Sequence, residues 1–190
     1  MKTTLIRMLS VALLLATATA RADKYSDTVQ LFKNAGQSGT FFSNCYGYAV
    51  FPTIGKGGLV VSGAHGDGRV YVKGKHVGDT AMTQIGVGFL AGGQAYSQII
   101  FFQDQRSFEE FTSGNFEFSA GVSAVVITAA AGGSASTGGS SAGASGGKKD
   151  ATTAGKYYKG MAVFTIVKGG AMYDASVAGQ KFSYKAVGSG

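Results

Sequence analysis

FPTIGKGGLVVSGAHGDGRVYVKGKHVGDTAMTQIGVGFLAGGQAYSQIIFF, running from Phe51 to Phe102, is the stretch on which the fold turns. It is apolar, dense in glycine, and its only carboxylates are Asp67 and Asp79. Its β-branched and aromatic residues alternate with small or polar ones, which is the period of a pleated strand whose two faces meet different surroundings. Glycine costs a strand backbone entropy, so 31 glycines and one proline in 190 residues point to bulges, tight bends and closely approaching backbones. The pattern predicts a mainly β protein with minor α, built on an antiparallel, strongly curved sheet that forms a barrel or a sandwich.

Within this stretch, 58–64 and 69–75 read as a hairpin turned at His65-Gly66-Asp67-Gly68. A strand at 83–90 places Ile85, Val87 and Phe89 on one side and Gly86 and Gly88 on the other. Gly92-Gly93 then turns the chain into a strand at 94–102. Upstream, CYGYAVF at 45–51 reads as the first strand, with Pro52 limiting its pairing. YSDTVQLFKNA at 25–35 reads as a short amphipathic helix. That helix either packs Val29, Leu31 and Phe32 on the sheet or faces a membrane with Lys24 and Lys33. Downstream, 104–114 predicts a short helix with Ser107 and Glu110 at capping-box spacing. Strand period resumes from Phe116 to about Thr128, and 129–149 is an Ala/Gly/Ser stretch expected to be a flexible loop. Three strands close the chain, at 161–167, 172–177 and 181–185.

Residues 1–22 carry the features of a cleaved signal peptide. Lys2 and Arg7 precede the apolar run 8–16, and Ala18-Thr19-Ala20 or Ala20-Arg21-Ala22 supplies a small-residue cleavage site. The run is far shorter than the roughly 20 residues that span a bilayer. The expected mature chain begins near Asp23, forms a single domain over 23–190, and resides in the periplasm or outside the cell. Without Lys2, Arg7 and Arg21, three of the 17 basic residues, 14 face 10 carboxylates and the net charge is about +4. Cys45 is the only cysteine, so no internal disulfide supports the exported fold.

The inventory of reactive groups points away from catalysis. His65 and His76 are the only histidines, neither has ligand spacing to Cys45, and both read as solvated loop residues. Gly55-Lys56-Gly57-Gly58 lacks the spaced glycine, the Ser/Thr and the helix of a phosphate loop. Glu109 and Glu110, as helix neighbours, point in different directions. The expectation is therefore a chain that is not an enzyme, with no cofactor, no metal site and no nucleic-acid partner. What remains is a basic and aromatic surface. Lys56, Arg69, Lys73 and Lys75 flank the hairpin, with Tyr71 between them, and Lys156, Tyr157, Tyr158 and Lys159 repeat the mixture. Such residues serve either as a solvated outer face or as contacts to lipid headgroup phosphates.

Six segments occur in an ordered series: GYAVFPTIGKGGLVVSG, GDG, IGVGFLAGGQAYSQIIFF, SFEEF, AGVSAVV and KGMAVFTIVKGGAMYDASVAGQKFSY. Together they span roughly Phe42 to Tyr184 and resemble the SYLF domain family. The resemblance implies a non-enzymatic module that binds phospholipids, with phosphoinositide and actin binding in eukaryotic members and export in bacterial ones. Lys56 matches the lysine of the family's K-x-G segment, and Ala64 stands where eukaryotic members carry a basic residue. The leading expectation is binding to anionic membranes through Lys24, Lys33, Lys56, Arg69, Tyr71, Lys73, Lys75, Lys156, Tyr157 and Lys159. Export makes actin an improbable partner. Two other readings are an envelope protein that assembles with a protein partner through its glycine-rich sheet, and a small outer-membrane barrel.

Overall fold

The computed structural model describes residues 24–58, 61–87, 93–119, 122, 124–129, 135–136, 156–169 and 177–188. The expected signal peptide, most of the loop at 129–149 and all but Val177 of the strand expected at 172–177 lie outside these residues. Nine strands form one sheet: β1 (Gly47–Gly57), β2 (Val61–Val72), β3 (Lys75–Val87), β4 (Gln94–Phe102), β5 (Phe116–Glu117), β6 (Val125–Ala129), β7 (Ala135–Ser136), β8 (Met161–Gly169) and β9 (Gln180–Ala186). Their order is β5-β9-β3-β2-β1-β4-β8-β6-β7. Every pairing is antiparallel except that of β6 with β8, which is parallel. A parallel pair needs a long crossover, and residues 130–160 supply it.

Alternation along the strands sorts the core into two layers. Ala49, Phe51, Val70, Met82, Ile100, Phe102, Val163 and Phe182 pack together on the inner face. Val50, Ile99, Phe101, Ala162, Phe164 and Ile166 pack on the outer face. The central strands β4 and β8 are buried on both faces, which explains the apolar runs IIFF at 99–102 and MAVF at 161–164.

The sheet curls strongly. Strand β4 lies four steps from β9, about 19 Å in a flat sheet, yet Gln98 Nε2 donates to Gln180 Oε1 at 2.9 Å. Phe51 of β1 likewise meets Phe182 of β9 with ring centroids 5.7 Å apart. Among the described residues the ladder remains open, because the terminal strands β5 and β7 do not pair with each other. The strong curvature expected from the glycines is present, but a closed barrel is not. Nor does the arrangement resemble an outer-membrane barrel, whose interior is polar: here the inner face is apolar and the outer face carries helices.

Two helical segments cover the outer face over β1, β4 and β8. The first, α1, occupies 24–34 and buries Tyr25, Thr28 and Phe32, while Leu31, expected to pack, stays half exposed. A 3-10 helix (Gly36–Ser43) follows, and its Phe41 ring lies 5.4 Å from Phe101, 5.0 Å from Phe164 and 5.1 Å from Tyr157. Opposite, α2 (Gln105–Phe111) places Phe111 5.0 Å from both Phe102 and Phe182 on the inner face. Its cap is Asp104, which accepts from the Ser107 backbone N–H at 2.8 Å, so Ser107 occupies the third helical position and is not the cap itself. That bond holds the Asp104 carboxyl below its ordinary range.

The hairpin turn lies elsewhere than the glycines suggest. Strand β2 runs unbroken through His65-Gly66-Asp67-Gly68, and the chain turns at Lys73-Gly74, where both residues have positive φ, 49° and 76°. These are the angles of the two-residue turn that matches strand twist. Gly66 and Gly68 face inward and provide space: a Cβ on Gly68 would lie 2.6 Å from the Phe51 ring, and one on Gly66 2.7 Å from Ile54. Pro52 likewise does not end β1, because a bulge between Phe51 and Ile54 absorbs it and pairing continues to Gly57. The terminal strands β5 and β7 have two residues each, and β5 pairs with only Lys181 and Phe182 of the seven-residue β9.

Candidate functional site

Among the described residues, the helical layer leaves bare the outer face of β9, of β3 and of the Val61–Asp67 part of β2. Strand β2 alternates strictly, with Val61, Gly63, His65 and Asp67 exposed on that face and Ser62, Ala64, Gly66 and Gly68 buried beneath. The register sets Lys185 opposite Asp79 and Asp79 opposite Arg69, then Lys181 opposite Thr83 and Thr83 opposite His65. Two cross-sheet rows of polar and charged side chains therefore run over one exposed surface.

Arg69 is the fixed point of this surface. Its guanidinium lies 4.3 Å from the Tyr25 ring centroid and 3.7 Å from Asp79, with 26% of its side chain exposed. Lys24 approaches the same ring at 5.4 Å. A groove of about 550 Å³ opens here, lined by Lys24, Tyr25, Asp67, Arg69, Asp79 and Lys185 among others. Burial raises the Tyr25 phenol, and the Arg69 charge opposes that shift. A guanidinium steadied by a ring on one side and a carboxylate on the other keeps donors free for a planar oxyanion.

The other expected contacts are spread over the molecule. Tyr71 stacks on Tyr48 at 5.3 Å and lies 5.7 Å from His76, so it belongs to the outer core. Lys73 and Lys75 do not share the face of Arg69 along one strand: Lys73 sits in the turn and Lys75 opens β3. Both are exposed at the hairpin tip. Lys33 lies over Phe42 at 5.5 Å on α1. Lys56 is at the far end of β1, opposite Ala64, eight or more residues from the tip. Lys156 and Tyr157 line a separate cavity of about 290 Å³ with Thr40, Phe41 and Asn44. Burial pushes the Tyr157 phenol up to about 12. Lys159 lies in a second Lys-Gly turn with φ 49°, its amine 5.6 Å from Tyr158.

Sequence reasoning missed Lys168, Lys181 and Lys185. Lys168 donates to Thr53 Oγ1 at 3.2 Å, and burial together with nearby Lys24 lowers its amine. Lys181 and Lys185 share the bare face through the period of two in QKFSYKA, the signal that could have revealed them. The histidines are strand residues and not loop residues. His65 meets Thr83 Oγ1 at 3.3 Å, and His76 Nε2 lies 3.1 Å from both Asp79 Oδ1 and the Gly78 carbonyl. Burial raises the Cys45 thiol. Among the described residues, no three of His, Cys, Asp and Glu converge to hold a metal ion.

A curled sheet whose outer face is part covered by helices and part open, the open part charged and anchored on a ring, has the form of an interaction module. Residues 83–186 match the family described as Ysc84, Las17-binding protein actin regulator, and this chain belongs to that family, the SYLF domain family. A relative from Aeromonas veronii, Beta cell expansion factor A, is 30% identical over 158 residues, which is 81% of this chain and 51% of the relative. The chain thus spans about half the length of that protein. Family membership supports a coarse role in lipid binding or protein interaction.

Proposed function

We propose that this chain is an exported, non-enzymatic module that binds anionic phospholipid membranes through the bare outer face of β2, β3 and β9. The observation that carries the reading is Arg69, held 4.3 Å over Tyr25 with Lys24 at the same ring, on a face that also bears Lys181 and Lys185. Each cation near an anionic surface contributes on the order of 1 kcal/mol. Lys73 and Lys75 extend the positive charge to the hairpin tip. Asp67, Asp79 and Glu117 lie within or beside the face and reduce its charge without cancelling it. Periplasmic or secreted residence follows from the leader-like first 22 residues and makes cytoplasmic actin an improbable partner for this member.

Vesicle co-sedimentation tests the proposal. The wild type is expected to pellet with phosphatidylglycerol-containing vesicles and to remain in solution with pure phosphatidylcholine. The double variant Lys24→Glu/Lys75→Glu, at two exposed positions, is expected to lower recovery on anionic vesicles by about tenfold or more. Equal recovery on both vesicle types would refute the proposal.

A further inference from the structure

The exposed large apolar side chains among the described residues are Leu31, Val61, Ile85 and Val187. Leu31 and Val187 stand alone. Val61 and Ile85, 62% and 76% exposed, are neighbours. Ile85 pairs directly with Gly63, and Val61 is two residues along from Gly63 on the same face. Gly63 has no side chain to separate them, and the only heavy atom near a Cβ built there is the Gln84 carbonyl oxygen at 3.8 Å. Cross-strand diagonal neighbours lie within reach of each other. The two side chains therefore form one apolar corner at the end of the bare face away from the Lys73-Gly74 turn.

Lys181, opposite Thr83, is the lysine next to this corner on the same face, whereas Lys56 pairs with Ala64 and has the parity of the inner face. The nearest carboxylate along these strands, Glu117, is paired with Lys181 at 3.5 Å. An apolar corner at one end of a face that carries Lys181, Lys185 and Arg69 along its length matches the lipid interface, where acyl chains lie beneath anionic headgroups.

We infer that Val61 and Ile85 penetrate the acyl boundary of an anionic bilayer, while the cations along β2, β3 and β9 remain at headgroup level. This inference rests on the membrane-binding reading above and adds depth and orientation to it: the far end of β2 and β3 enters the bilayer and the hairpin tip stays out. Simple electrostatic adsorption would leave both ends in water.

The chain contains no tryptophan, so a single introduced indole reports its own position. In the full chain, Val61→Trp and Ile85→Trp are expected to shift their emission to the blue with vesicles of phosphatidylglycerol and phosphatidylcholine, and to be quenched by brominated acyl chains. Leu31→Trp and Val187→Trp are expected to do neither. Ile85→Ser is expected to lower partitioning on the order of tenfold while leaving the thermal midpoint nearly unchanged, because the residue is exposed. Pelleting with vesicles without any shift at Val61→Trp and Ile85→Trp overturns the insertion and leaves surface adsorption standing. A shift at Val187→Trp in their place overturns the orientation. Failure of the wild type to pellet with any vesicle overturns both readings.

Discussion

Gly68 shows how one absent side chain shapes the sheet. Its α-hydrogen faces the Phe51 ring, and a methyl group there would lie 2.6 Å from two ring carbons and 2.9 Å from the Val50 carbonyl oxygen. Phe51 is fully buried and locked against Phe182, so it cannot yield without opening the curl. Gly68→Ala is therefore expected to cost about 1–3 kcal/mol in urea unfolding, as overpacked cores do. Gly63→Ala, on the open face, is expected to be neutral or stabilising by up to about 1 kcal/mol. The same scale governs the buried phenols. Burial pushes Tyr48 and Tyr157 up to about 12, against about 10 in the unfolded chain. Between these values the unfolded chain releases protons that the folded one retains, so stability is full below about pH 10 and falls as the pH rises toward about 12. Absorbance titration should show at least two of the nine tyrosines, Tyr48 and Tyr157 among them, ionising in that upper window. Ionisation of all nine near pH 10 would contradict the burial.

At the scale of elements, the Gln98–Gln180 pair is the bond that measures the curl. Each amide donates to the other, at 2.9 and 3.2 Å, and both side chains are buried. Gln98→Leu leaves the Gln180 amide without that partner and should cost about 1–3 kcal/mol, while Gln98→Leu/Gln180→Leu should recover much of the loss. Additive losses in chemical denaturation would mean that the two strands are not coupled across the interior. Sequence legibility also divides at this scale. Strand β4 was readable from end to end because Gly92-Gly93 marks its start and Ile99-Ile100-Phe101-Phe102 runs up to the polar Gln103-Asp104. The hairpin was misplaced because His-Gly-Asp-Gly looks the same whether its glycines bend the chain or admit a ring. The true turn, Lys73-Gly74, puts a lysine at positive φ, where Asn or Asp is the usual signal. The parallel partnership of β6 and β8 was not legible, since the Ala/Gly/Ser stretch between them carries no pattern to announce a crossover.

For the whole molecule, the helical layer decides which part of the sheet is open. By covering β1, β4 and β8 and leaving β2, β3 and β9 bare, it creates one exposed sheet face with cations along it and an apolar corner at its end. Arg69, Lys73 and Lys75 were legible as candidates from their clustering in sequence, and Lys24 from its place on the first helix. Lys33, Lys56, Lys156 and Lys159 were not separable from them, because one-dimensional spacing does not reveal which side of a curled sheet a residue occupies. The central claim is that this face holds anionic lipid by charge. Its most direct measurement is the partition of the wild-type chain onto phosphatidylglycerol-containing vesicles as ionic strength rises from about 0.01 to 1 M, over which the screening length falls from about 30 to 3 Å. The account predicts strong partitioning at low salt that declines steeply, with negligible binding to phosphatidylcholine at any salt. Partitioning that is insensitive to salt and equal on the two lipids would contradict it.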